Sequence, residues 1–365
     1  MEEGLHATTQ RLNGKGHILM VKAIQVGLGS WGFDWSKEVI PNVPSIEVVA
    51  YADASPAATE RVQSELKVDP QMCFASLSEA AKAVEADLVI ATLRTEAHYP
   101  VVKEALQLGF NVIVEKPFAS TMAQAKELVA LAEAQSRVLM VSQNYRFQQA
   151  PIAVAEFMAA RKLGPINQVS IDFRRHAPTQ GYRYWDMPDP LLADMSIHHF
   201  DLMRMVLNVE PVRVACRTWN PEGSPFAHHP TGAALIEFDT GIVVSYRASW
   251  VSTGRPTAWS GEWTIDCSEG EIWWTSRDHF MGKAKPDVVE LRPLDGKPEN
   301  VKLPALDYAD RLGTLATVAK VIETGSLPPR FSSGKDNLVS LALVQATIAS
   351  ANRAGEWVDI AEVME

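Results

Sequence analysis

A carboxylate and an imidazole stand four positions apart in Asp194-Met195-Ser196-Ile197-His198-His199-Phe200-Asp201. On a helix, Asp194 and His198 would share one face and could touch. A carboxylate beside an imidazole fixes its tautomer and stabilises its cation. That suits removal of a hydroxyl proton while a hydride leaves the same carbon. His199 points about 100° away and reads as structural. The spacing has blander readings, a surface contact or a helix cap. Asp194, His198 and Asp201, joined in space by His176, could also ligate a metal. No further ligand cluster of recognised spacing supports that, so no metal is expected.

A second constellation lies near the start. Gly27, Gly29 and Gly32 form G-x-G-x-x-G, with Ser30 and Trp31 inside the loop. The first two glycines permit a tight turn and close approach of backbone to a pyrophosphate, and the third permits close helix–strand packing. The opening N–H groups and dipole of the following helix favour an anion. Asp53 lies 21 positions past Gly32, at the end of the next apolar run, where a carboxylate accepts hydrogen bonds from an adenosine ribose. Its competing reading is a cap before Ser55-Pro56. A carboxylate there repels a 2′-phosphate, and no Arg follows it immediately, so NAD is expected over NADP.

These residues need a scaffold. From Lys22 the chain alternates short apolar runs with helical segments, the pattern of a parallel sheet covered on both faces. Strands are expected at 22–26, 46–52, about 72–74, 87–92, 111–114 and 138–141. Ser55 is expected to cap a helix that starts at Pro56, and Ser76 with Glu79 forms a capping box. A helix over about 96–108 should stop at Gly109. After Asn144-Tyr145-Arg146-Phe147 the rhythm changes. A helix at about 152–162 and a strand at 166–175 lead to a loop and helix over 188–207. Strands then follow at 212–219, 233–238, 242–248, 263–266, 271–275 and 288–291. Asp239-Thr240-Gly241 makes a hairpin turn, and helices at about 309–323 and 336–354 close the chain. The expected fold is α/β. A Rossmann doubly wound parallel sheet (20–143) is followed by an α+β domain with a large, mostly antiparallel open sheet (144–365). Residues 1–19 read as an extension.

Composition excludes several functions. The 365 residues carry a formal net charge of −10 and no basic stripe, which excludes a nucleic-acid binder. No stretch approaches the ~20 apolar residues that span a bilayer, and residues 1–19 lack the apolar core of a secretory signal. Cys73, Cys216 and Cys267 are odd in number and have no metal spacing, so reduced thiols in a cytoplasmic compartment are expected.

Taken together, the chain resembles the glucose–fructose oxidoreductase, inositol dehydrogenase and MocA family over about residues 21–360. The resemblance rests on the glycine loop, Asp53, and Asp87-Leu88-Val89-Ile90-Ala91-Thr92 with His98 downstream. It rests further on Gly109-Phe110-Asn111-Val112-Ile113-Val114-Glu115-Lys116-Pro117, Asn144-Tyr145-Arg146-Phe147, Leu163-Gly164-Pro165-Ile166 and the Asp194/His198 pair. It implies an NAD(P)-dependent dehydrogenase acting on a carbohydrate-like CH–OH group. The dimer or tetramer would form through the C-terminal sheet. Cofactor contacts would come from the glycine loop, Asp53, Thr92, His98, Glu115 and Lys116. The resemblance also places Lys116 beside the nicotinamide ribose and the substrate hydroxyl, with Asp194 and His198 completing the catalytic group. Physically, a cation at a strand's carboxyl end can stabilise a developing alkoxide. Arg146, Arg174, His176, Tyr184 and Trp185 are candidates to line the sugar site. Three departures, Pro188-Asp189-Pro190-Leu191-Leu192-Ala193 where the family usually has a Gly-rich stretch, Ser196 where it commonly has Gly and Leu93 where it often has Pro, reshape the substrate loop. A NAD-dependent glycosidase or dehydratase using transient oxidation, and a non-enzymatic NAD-binding sensor, are the competing readings.

Overall fold

The computed structural model describes residues 20–176, 185–280 and 283–365. The expected extension at 1–19 and the candidate Tyr184 lie outside them.

Near-continuous apolar runs with little alternation build the first sheet, because both of its faces are covered. Its strands are β1 (Val21–Val26), β2 (Ile46–Ala52), β3 (Cys73–Phe74), β4 (Leu88–Ala91), β5 (Asn111–Val114) and β6 (Leu139–Val141). All pairs are parallel, and the order is β3-β2-β1-β4-β5-β6, the dinucleotide-binding arrangement with its switch point between β1 and β4. On one face Ile24, Val89 and Val112 pack with Val102, Leu106 and Leu128. On the other, Ala23, Leu88, Ile90 and Ile113 meet Leu315, Val318 and Ala319 of the helix Asp310–Thr324. The chain therefore returns from its far end to cover the first sheet.

Local signals behaved unevenly. Ser76 Oγ accepts from Glu79 N at 3.2 Å, but Glu79 reaches back to Ala75 N rather than to Ser76 N. Ser55 makes no side-chain cap; Asp53 Oδ1 accepts from Ser55 N instead, at 2.8 Å. The helical stretch after the glycine loop is an α-turn at Ser30–Asp34, a π-turn at Trp35–Val39 and a 3-10 turn at Ile40–Asn42.

The second sheet comprises β7 (Ile166–Arg174), β8 (Pro211–Trp219), β9 (Thr231–Phe238), β10 (Val243–Ser249), β11 (Glu262–Cys267) and β12 (Gly270–Thr275). A separate hairpin, β13 (Asp278–Phe280) with β14 (Lys283–Lys285), precedes the sheet strands β15 (Val288–Pro293), β16 (Glu299–Asn300) and β17 (Val358–Asp359). The order β16-β15-β12-β11-β7-β10-β9-β8-β17 is antiparallel except for the β7–β10 pair. Alternation sets its two faces. In β10, Val244, Tyr246 and Ala248 are buried, while Val243, Ser245 and Arg247 face outward. The helices Gln149–Ala159, Ile197–Leu207 and Gly334–Asn352 contribute to the core on the buried side.

Candidate active site

The glycine loop leaves β1 at the switch point, and each glycine has a different reason to be one. Gly27 has φ +92°, and a Cβ there would lie 2.8 Å from Leu93 Cγ. A Cβ on Gly32 would lie 1.8 Å from Gly27 O, so helix and strand could not meet. Gly29 has nothing within 4 Å of its would-be Cβ, so its backbone faces open space. Thr92 Oγ1, buried, donates to Gly27 O at 2.7 Å and braces the turn. Gln25, which sequence reasoning missed, donates to Gly32 O at 2.7 Å and accepts from Ser36 Oγ at 2.7 Å. Its signal was a polar residue inside an apolar strand. Asp53 ties the loop to the next turn: Oδ2 accepts from Leu28 N at 2.6 Å, and Oδ1 accepts from Ser55 N just ahead of the helix at Pro56.

Beyond β5, Glu115 is buried and accepts from Trp35 Nε1 at 2.9 Å, which fastens the π-turn to the strand end. The Lys116–Pro117 peptide bond is cis. His98 was expected to contact the cofactor. Its ring nitrogens instead lie 2.8 Å from Pro117 O and 3.0 Å from Leu93 O, so it ties together the loops after β4 and β5. Burial pushes its pKa down.

The expected Asp194–His198 contact gives way to a different one. Lys116 Nζ donates to Asp194 O at 2.8 Å and to Asp194 Oδ1 at 3.1 Å. The reason is local: Leu191–Ser196 form a π-turn, whose wider winding breaks the i, i+4 stacking of an α-helix. Buried His198 has no hydrogen-bond partner at Nδ1 among the described residues. It stacks on Tyr145, with ring centroids 4.1 Å apart and planes 7° from parallel. The Arg277 guanidinium lies 4.1 Å over the same Tyr145 ring and donates to Asp310 Oδ2 from Nε at 2.9 Å and Nη2 at 2.6 Å. Burial, then the charges of Lys116 and Arg277, hold the His198 pKa well below its ordinary value. His198 is thus a neutral imidazole at neutral pH. His199 is structural, as expected: its nitrogens lie 2.8 Å from Tyr246 Oη and 2.9 Å from Trp259 O.

Trp31, Glu115, Lys116, Asp194 and His198 line one cleft of about 580 Å³ at the carboxyl ends of the first sheet's strands. That size suits a small-molecule site. Four other candidates are not among its lining residues. Arg146 is a buried fork on Asp201 (2.6 Å to each oxygen) and on Asp336 (2.6 Å). Arg174 lies on the outward side of β7, donating to Glu262 at 2.7 Å and to Arg255 O at 3.0 Å. His176 is exposed, in a bridge with Val251. Half-buried Trp185 accepts from Ala227 N at 2.7 Å through its carbonyl. Asn144, Tyr145, Trp250, Trp259 and Arg277 line the cleft instead. Asn144 and Tyr145 were signalled by their place beside Arg146; nothing local marked Arg277. Among the described residues, no three of His, Cys, Asp and Glu converge as a metal site.

A model of the oxidoreductase family with an NAD-binding Rossmann fold matches residues 21–143, and one of the GFO/IDH/MocA C-terminal domain matches residues 152–273. The chain belongs to this family. Across nearly its whole length it is similar to an uncharacterized protein of Sinorhizobium fredii, 25% identical over 353 residues, 94% of this chain and 97% of the relative. It is 26% identical to inositol 2-dehydrogenase of Rhizobium meliloti over 343 residues, 89% and 95% of the two chains. Its fold matches an inositol dehydrogenase homolog of Azotobacter vinelandii, solved with NADH and myo-inositol. The TM-score is 0.78 at 19% identity, covering 93% of this chain and 97% of that one. The Gfo/Idh/MocA chain described here is therefore an NAD-binding oxidoreductase, a dehydrogenase or reductase. Its residues fit that cofactor: the open space over Gly29 is where backbone can approach a pyrophosphate, with Asp53 one strand away.

Proposed function

We propose that this oxidoreductase interconverts a CH–OH group and the corresponding carbonyl on a sugar, polyol or sugar acid, with NAD preferred over NADP. One observation carries the reading: an ammonium from the first half and a neutral imidazole from the second line the same cleft beside the glycine loop. When bound, the nicotinamide supplies the hydride acceptor or donor. Lys116 spends two of its three N–H donors on Asp194 and keeps one for the reacting oxygen. Asp194 thus positions Lys116. His198, being neutral, accepts the hydroxyl proton as the alkoxide develops and returns it in the reductive direction. The aromatic walls Trp250, Trp259 and Tyr145 suit the C–H faces of a polyhydroxy compound. Support for the substrate class comes from the polyol-named relative and the inositol-bound neighbour.

The NAD preference is supported by the Asp53 carboxylate and by Ala54, rather than an Arg, after it. A homodimer or homotetramer through the second sheet is supported by its outward Leu235 and Val243, 46% and 39% exposed. The three free cysteines support a reducing, cytoplasmic setting.

The test is a panel of polyols, aldoses and sugar acids assayed for NADH and NADPH formation beside variants. Lys116→Ala and His198→Ala should each lower kcat/KM on the best substrate by about 10²-fold or more. Asp53→Ala should weaken NAD more than NADP. Full turnover by either cleft variant would remove these residues from their roles, and equal cofactor losses would remove Asp53 from the ribose site.

A further inference from the structure

Two consecutive residues from the far end of the chain touch both walls of the cleft. Asp310, in the left-handed region at φ +56°, is held by Asn144 Nδ2, by the Arg277 guanidinium and by Arg311 N at 2.9 Å. Positive φ is uncommon for a non-glycine residue, and Asp is among those that adopt it most readily. Here the anchors of its carboxylate, Asn144 and Arg277, both line the cleft. The next side chain, Arg311, goes to the cofactor loop. Its guanidinium lies 4.4 Å over the Trp31 ring, and Nη1 donates to Asp34 Oδ2 at 2.5 Å.

Trp31 needs such a hold. It sits inside the glycine loop, lines the cleft, and is 45% exposed. A planar cation over its face, itself fixed by an ion pair one turn away, restricts where the indole can go. Arg311 is not among the cleft-lining residues; of its two contacts with the loop and its helix, Trp31 is the one that lines the cleft.

We propose that Arg311 is a positioning residue for cofactor binding, acting through Trp31, and that Asp310 is its counterpart for the substrate wall through Arg277. The helix Asp310–Thr324 is then a strut between the two halves of the site. The Arg311 half needs only the NAD binding that family membership establishes; the Asp310 half rests on the proposed substrate chemistry.

The experiment is fluorescence titration of the full chain with NADH, which needs no substrate and therefore stands even if no polyol is turned over. Arg311→Ala should weaken NADH about fivefold to tenfold, and Arg311→Lys should recover part of the loss. Asp34→Asn, which leaves the helix Asp310–Thr324 untouched, should give a smaller loss of the same sign. In a Trp31→Ala background, Arg311→Ala should add less than about twofold, because the route is already cut. Asp310→Asn should raise substrate KM while NADH affinity stays within about twofold. An undiminished Arg311→Ala effect in the Trp31→Ala background, or none in the parent, would overturn the proposal for Arg311. A matching loss of NADH affinity in Asp310→Asn would overturn the division between the neighbours.

Discussion

The glycine loop and the substrate wall face each other across one cleft but are built of different materials. The loop is backbone, shaped chiefly by Gly27, Gly29 and Gly32 in one short motif, with Gln25 and Ser36 bonded beneath and Asp53 and Thr92 bonded from neighbouring strand ends. The wall is side chains, gathered from Lys116, Asn144 and Tyr145, Asp194 and His198, Trp250, Trp259 and Arg277. A backbone cradle depends on which residues lack a Cβ, and a short motif states that directly. A side-chain wall depends on which elements pair and where each strand's alternation begins. Errors of one residue there send a side chain to the opposite face.

The sharpest way to break this comparison is to add one methyl to two glycines of the same loop. Gly32→Ala places its Cβ against the Gly27 carbonyl, a rigid backbone atom, and should cost about 3 kcal/mol or more in a urea melt. Gly29→Ala meets no protein atom, so the melt should be nearly unchanged while NADH binding falls about tenfold. A Gly29→Ala protein that bound NADH like its parent would mean the open space is not where the pyrophosphate lies.

On the substrate side, two arginines expected to line the cleft show why this half was harder to foresee. The strand containing Arg174 was placed almost to the residue, but in β7 the buried positions are Val169, Ile171 and Phe173, which turns Arg174 outward. Arg146 is near the cleft in sequence, beside Tyr145, yet its charge is consumed by Asp201 and Asp336, 55 and 190 residues away. Asp194 was assigned its partner by α-helical spacing, and the π-turn gave it Lys116 instead. By contrast, the six strands of the first sheet, the glycine loop and the end of β5 follow from apolar runs and motif positions that need no tertiary knowledge, although Thr92, expected as a cofactor contact, also braces the turn at Gly27. Arg146→Ala should therefore cost about 3–5 kcal/mol of stability, because it strands the buried Asp201 carboxylate. Arg174→Ala should leave kcat/KM within about twofold. A large catalytic loss in Arg174→Ala at unchanged stability would put the sheet's outer face into the reaction.

The smallest expected effect separates two adjacent histidines. Burial lowers both, but His199 has both nitrogens near protein oxygens and is pushed down to about 4, whereas the cations Lys116 and Arg277 add to the burial of His198. Because each folded pKa lies below the ordinary value of 6.5, each contributes stability that is present above pH 6.5 and lost as the pH falls towards the folded value. For His198 the same sign keeps the imidazole available as a base below pH 6.5. Histidine-labelled NMR titration should thus show no midpoint near 6.5 for either ring. Lys116→Met removes one of the two cations acting on His198 and should move its midpoint upward, while His199 stays in place. A His198 midpoint at 6.5 in the parent, or equal movement of both rings, would mean that Lys116 does not act on His198 across the cleft, and the proposed proton transfer would lose its neutral base.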